Sequence, residues 1–214
     1  MVVTLLTDYQ RLKEDNSDDS LFYKEARFVY HLDKSFRSRL SSLYKRETNN
    51  SNVILDLMSS WDTHLPSDLK YKEVIGHGLN QQELERNKRL DKFWVQDFNK
   101  EQSLPLADCS IDICLMTASW QYLQYPEPLA IEIKRVMRPK GKFIISFSNR
   151  AFWTKATRKW IDSSDEERLN YISDVLLSNG WIIIQQIYEG SSTNNLLELF
   201  RAKKDPFLSV IAMK

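Results

Sequence analysis

Five polar residues stand at the ends of apolar stretches: Asp56 in VILDLM, Asn80 after EVIGHGL, Asp97 closing FWVQD, Thr117 after IDICLM and Ser148 in KFIISFSN. Two carboxylates, an amide and two hydroxyls make a binding set. They offer acceptors and donors to a polar ligand, but no acid–base pair stands out among them. If the stretches are neighbouring strands running in one direction, these residues converge on one crevice. Open α/β sheets bind ligands outside the carboxyl ends of their strands.

The segments between them fit that arrangement. Phe36, Leu40, Leu43 and Tyr44 make one apolar helical stripe ahead of the first strand. SSWDTHLPSDL reads as a polar turn and a short irregular helix, with Pro66 near its first turn. QQELERN is a short helix former, and Pro126 to Met137 carries Leu129, Ile133, Val136 and Met137 on one face. Pro139 and Gly141 end that helix and open the fifth strand. Ser163 and Glu166 have capping-box spacing before a helix with Leu169, Ile172 and Leu176, which Gly180 closes. WIIIQQIYEG and LLELFRAKK read as two last strands, antiparallel around GSSTNN. The prediction is an α/β fold: a Rossmann-like, doubly wound, mostly parallel seven-stranded sheet with helices on both faces. Residues 1–20 read as a flexible N-terminal arm. Residues 21–214 form a single domain, with a helical and aromatic cap over 21–50 that includes Phe22, Tyr23, Phe28 and Tyr30.

Composition narrows the function classes. Thirty basic and 29 acidic side chains leave a formal charge of +1, which favours no polyanionic partner. Lys155, Arg158 and Lys159 make a modest basic face without interleaved stacking aromatics, so no nucleic acid is expected. Cys109, Cys114 and three scattered histidines suggest neither a metal site nor a disulfide framework. Cys114, inside an apolar strand, reads as a small buried hydrophobe. No apolar run is long enough to cross a bilayer and the N-terminus lacks a secretory pattern, so no membrane partner and a cytoplasmic location are expected.

From Asp97 to Asn149 the sequence carries a specific run: an acidic residue, a loop ending in LP, a strand opening S-x-D, a polar turn, a helix, and a corner with Arg135, Pro139 and Gly141. With the order of elements, it resembles the class I S-adenosylmethionine-dependent methyltransferases, most nearly the methyltransferase type 11 group, over roughly Phe22 to Lys203. That resemblance implies a methyltransferase-like domain with S-adenosyl-L-methionine as cofactor. It places Asp56 beside the donor's amino group, Met58, Ser59 and Ser60 at the methionine moiety, and Gly78 and Asn80 at the ribose. Gln96 and Asp97 fall at the adenine amino group, and Thr117 and Ala118 at the wall packing on the adenine. Two departures are plain. The family's glycine-rich turn after the first strand is Met58-Ser59-Ser60-Trp61 here, and Gly78 stands near the usual ribose-binding carboxylate, with Glu83 one helical step on.

Each position has a plainer alternative. Asp56 could cap a following helix, Asp97 could form a turn before Asn99, and Gly78 could be a turn glycine. Trp120, Gln121, Tyr122 and Tyr125 could line a substrate pocket or fill a helix–sheet interface. Asn149, Arg150, Phe152 and Trp153 follow the fifth strand above the same crevice and are further candidates for substrate contact. Arg150 could hold a carboxylate or phosphate, or be solvated. His64 and His77 lie near the first two strand ends. The expected reaction is methyl transfer to a small-molecule acceptor, since the length leaves little room for a recognition domain. The N-terminal aromatic segment and the loop after Ser148 would act as a lid. The rival is a non-catalytic binding or scaffold protein of the same fold. A nicotinamide-dependent oxidoreductase lacks the G-x-G-x-x-G turn it needs.

Overall fold

A computed structural model describes residues 4–190 and 204–214. Seven strands, β1 (Val53–Leu57), β2 (Glu73–Gly78), β3 (Lys92–Val95), β4 (Ile111–Thr117), β5 (Met137–Phe147), β6 (Ile182–Glu189) and β7 (Phe207–Met213), form one sheet in the order β3-β2-β1-β4-β5-β7-β6. The pairs from β3 to β5 are parallel, and β7 runs antiparallel to both β5 and β6. The helices are α1 (Asp8–Arg11), α2 (Asp19–Phe22), α3 (Lys34–Glu47), α4 (Gln81–Arg86), α5 (Pro126–Val136), α6 (Arg158–Ile161) and α7 (Asp165–Ser178). This is the doubly wound architecture expected, with a mostly parallel sheet and one antiparallel pair of strands at its end.

Alternation along the strands explains the two layers. Ile54, Ile113, Leu115 and Ile144 point to one face, where they pack on Phe36, Leu40, Leu43 and Tyr44 of α3. Leu55, Cys114, Met116, Phe143 and Ile145 point to the other, against α5 and α7 through Leu129, Ile133, Leu169 and Ile172. Each buried Leu, Ile or Phe contributes roughly 1.5–3 kcal/mol. Cys114 is a buried hydrophobe whose thiol pKa burial pushes up. Arg135 holds its corner together. Its guanidinium donates to Leu106 O at 2.9 Å and Leu104 O at 3.1 Å, which pins the LP loop to α5.

Several expectations are corrected. No helix forms between β1 and β2; the segment around Pro66 is irregular, so Asp56 has no helix to cap. The last strand of the described residues is FLSVIAM, which was not expected, and all of LLELFRAKK but Lys204 lies outside the described residues. The capping box is one residue on: Ser164 and Glu167 bond reciprocally, while the Ser163 hydroxyl donates to Lys159 O. Residues 4–19 are docked rather than a free arm. The Leu5 and Leu6 amides donate to Glu127 Oε1 at 3.0 and 3.2 Å, and Arg11 pairs with the same carboxylate at 2.7 Å. Lys155 is no part of a basic surface. It is buried, with Asp15 at 3.0 Å and Asp19 at 3.4 Å, and Lys13 pairs with Asp19 from the other side.

Candidate active site

The turn after β1 is built without glycine. Met58 takes φ +53°, the left-handed conformation that glycine would adopt without strain. Three bonds hold it. The Met58 amide donates to Nδ1 of His77 at 3.2 Å, the Ser59 amide donates to His77 O at 2.6 Å, and the Ser59 hydroxyl donates to Asp56 at 2.5 Å. His77 is buried, stacks on Phe98 at 3.8 Å and donates from Nε2 to Gln96 O at 2.8 Å. Burial lowers its pKa to about 3, so it is a neutral structural imidazole. Asp56 is also buried, and desolvation raises its carboxyl to about 7 against the pull of the Ser59 hydroxyl.

At the end of β2, Gly78 leaves room for the turn: a Cβ there would stand 2.6 Å from Ser59 O. The Asn80 side chain caps α4 by accepting from the Glu83 amide at 3.0 Å. Its NH₂ donates to Tyr23 O and Lys24 O at 2.9 and 3.0 Å. Both donors expected for a ribose are thus spent on the cap segment. Glu83 accepts from Ser60 Oγ at 2.5 Å and from the Arg27 amide at 2.7 Å, tying the turn to residues 22–31. A carboxylate offers about four lone-pair sites, so Glu83 keeps capacity for a ligand hydroxyl.

After β3 the Gln96 amide is spent within its loop, donating to Glu101 O and Ser103 O at 2.9 and 2.8 Å. Asp97 makes the expected turn, accepting from the Asn99 amide at 2.9 Å through Oδ1. Its Oδ2 lies 3.8 Å from Lys100 Nζ. After β4, Thr117 bonds the Tyr44 hydroxyl at 2.7 Å and Ala118 takes φ +51°. The 3₁₀ turn Trp120–Tyr122 then divides its residues. Trp120 is buried against Phe143 and Tyr171 in the core, which corrects its expected place at the substrate, whereas Gln121 and Tyr122 face the cavity.

One cavity of about 590 Å³, in the usual range for small-molecule sites, joins these strand ends. Asp56, Met58, Ser59, Ser60, Gly78, Asn80, Gln96, Asp97, Thr117 and Ala118 all line it, as do Gln121, Tyr122, Asn149 and Arg150. Arg150 is neither free nor simply solvated: its Nε pairs with Asp205 at 2.6 Å. Ser119 Oγ and Gln121 Oε1 sit behind the cavity wall, shielded from its interior, with no hydrogen-bond partner among the described residues. The residues present fit an adenosyl cofactor at the Asp56, Asp97 and Thr117–Ala118 walls. At the ribose the fit rests on Glu83.

The roof comes from the two segments expected to cover the site, and Arg27 is the roof residue that sequence reasoning did not name. Tyr23, Arg27 and His31 reach the cavity from the N-terminal segment, and Phe152 reaches it from the loop after β5. Phe152 meets Phe22 at 5.2 Å, His31 at 5.3 Å, Tyr122 at 6.1 Å and Tyr23 at 6.4 Å. The density of aromatics over Phe22–Tyr30 signalled a packed cap. The expected lid brings this cap beside the loop after Ser148, but no pattern of residues selects Phe152 as the ring that meets Phe22, Tyr23 and His31.

Residues 63–145 match a family model described as a methyltransferase domain. The match begins beyond the glycine-free turn and runs into β5. No curated protein matches the chain. A chain of the Haloferax volcanii complex containing the Trm112 methyltransferase activator is similar at 15% identity and TM-score 0.63, over 84% of this chain and 92% of that one. An S-adenosylmethionine-dependent methyltransferase from Mesorhizobium loti is similar at 14% identity and TM-score 0.54, over 81% and 96%. The 4+2 cyclase SpnF is similar at 16% identity and TM-score 0.59, over 82% and 80%. At these identities the structural likeness is one of fold. With the family match, it upholds the resemblance to class I S-adenosylmethionine-dependent methyltransferases.

Proposed function

We propose, from the premise of that methyltransferase likeness, that this chain binds S-adenosyl-L-methionine and directs methyl transfer to a small-molecule acceptor in the cytoplasm. One observation carries the reading: the strand-end cavity is open, and the positions expected for the cofactor line it together. When bound, the cofactor supplies a methyl carbon already activated by its sulfonium. The chain's own work is orientation, the largest contribution available to such a reaction. Asp56, once ionised, holds an amino group. Asp97 Oδ2 accepts from an amino group at the β3 end. Burial raises the Tyr23 and Tyr122 hydroxyls above their ordinary pKa, so neither is a ready base at neutral pH. An acceptor amine or thiolate that loses its proton separately suits this site.

A second reading, a scaffold of the same fold without turnover, is favoured by the end of β2, where Gly78 stands in place of a carboxylate and both Asn80 donors are spent. Thermal unfolding with S-adenosylmethionine and S-adenosylhomocysteine separates the two. A shift that Asp97→Ala abolishes supports the transferase, and its absence at millimolar ligand supports the scaffold. Formation of S-adenosylhomocysteine against a metabolite panel then tests turnover.

A further inference from the structure

The roof carries a charge that the proposed cofactor does not use. The Arg27 guanidinium lies over the rings of Phe22 at 4.5 Å, Phe152 at 5.4 Å and Tyr23 at 5.6 Å, on the cavity wall. Its Nη2 donates to Phe22 O at 2.8 Å. Among the described residues, no carboxylate lies within 4.0 Å of it. Stacking occupies the flat faces of a guanidinium and leaves its edge donors for another partner.

Apart from Asp56, which takes only the Ser59 hydroxyl, the other charged side chains on the wall have partners. Asp19 is held by Lys13 and Lys155, Asp62 by His64 at 3.2 Å, and Asp97 by the Asn99 amide and Lys100. Glu83 accepts two bonds, and the other lining arginine, Arg150, is paired with Asp205. Arg27 is therefore the lining arginine without a counter-ion among the described residues, and it is fixed in place by rings rather than by salt bridges.

We infer that the methyl acceptor is a small carboxylic acid that carries its amine or thiol on an otherwise apolar, ring-bearing body, its carboxylate held by Arg27 and its ring by the aromatic roof around Phe152. That the bound acid is the acceptor rests on the transferase reading. The anion site itself does not. A neutral analogue would leave the guanidinium without a charged partner, and a charge-assisted bidentate bond discriminates by about tenfold or more.

The test uses the full chain and two matched pairs, phenylacetate with phenylacetamide and cinnamate with cinnamamide, titrated by ligand-observed NMR. Each acid is expected to bind about tenfold tighter than its amide. Arg27→Gln, with folding checked by circular dichroism, should equalise the pairs, and Arg27→Lys should keep part of the preference. Equal binding of acid and amide, no acid binding at millimolar concentration, or a preference that survives Arg27→Gln overturns the inference. Should Arg27→Gln not fold, the wild-type ratio and Arg27→Lys decide. Calorimetry with S-adenosylhomocysteine is run beside it. Its failure with the acid preference intact sinks only the transferase reading, whereas its success without that preference sinks only this one.

Discussion

The Met58 amide donates to Nδ1 of His77 at 3.2 Å, and the same ring donates from Nε2 to Gln96 O at 2.8 Å. One imidazole thus ties together the ends of β1, β2 and β3. These two bonds fix its tautomer: Nδ1 accepts and Nε2 carries the proton. A left-handed non-glycine residue costs about 1–2 kcal/mol, and this arrangement is what holds Met58 there.

His77→Leu should therefore destabilise the fold by roughly 1–3 kcal/mol, since it orphans the part-buried Met58 N–H and Gln96 C=O. Urea unfolding measures it. A loss below about 1 kcal/mol would show that the turn holds itself.

Two buried groups give opposing pH dependences. The folded pKa of His77 is depressed to about 3, so its contribution is present above 6.5 and is lost as pH falls toward 3. The folded pKa of Asp56 is raised to about 7, so its contribution is full below 3.8 and is lost as pH rises through 7. Between about pH 4 and 6.5 they offset one another. Asp56→Asn should unmask a fall in stability of roughly 1.4 kcal/mol per pH unit on acidification in that window, seen by denaturant titrations at a series of pH values.

The same carboxyl sets a pH profile for the proposed cofactor. Holding an amino group needs the ionised form, so S-adenosylmethionine affinity should rise about fivefold from pH 6 to 7, about tenfold by pH 8, and level off above that. Calorimetry should find this slope gone, and affinity lower, in Asp56→Asn.

Restoring a carboxylate at the end of β2 should fail. In Gly78→Asp the new Cβ would meet the Ser59 carbonyl at 2.6 Å, a backbone atom that cannot swing aside. The expected outcome is a loss of roughly 1–3 kcal/mol and no gain in cofactor affinity. A tighter complex would mean that the turn relaxes freely.

Lys155→Met removes a buried cation from between Asp15 and Asp19. Asp19 keeps Lys13, but the Asp15 and Ser17 carbonyls lose their donor, so the loss should be about 1–3 kcal/mol. Limited proteolysis should then cut within residues 4–31 first, because that segment loses its anchor on the loop after β5.

The sheet was legible because its central strands are apolar runs and its helices carry clear stripes; Leu40 and Ile172 fall in the core as their spacing requires. FLSVIAM was missed because LLELFRAKK offered a competing apolar stretch just before it. SSDEE contains two capping-box registers, and only local packing selects Ser164 over Ser163. The strand-end residues converge as topology demands, but whether their atoms remain free does not follow from topology. Asn80 and Gln96 reach the cavity already satisfied by backbone carbonyls that no pattern of residue types brings close to them. Trp120 and Gln121 differ by one position on a 3₁₀ turn, and that step separates core from cavity.

Phe152 touches rings from both the N-terminal segment and the turn after β4, while Lys155, three positions on, clasps Asp15 and Asp19. An oily seam and a charged clasp thus fasten the covering strap almost side by side, so neither high salt nor the loss of one ring alone should release it from the rim of the open chamber.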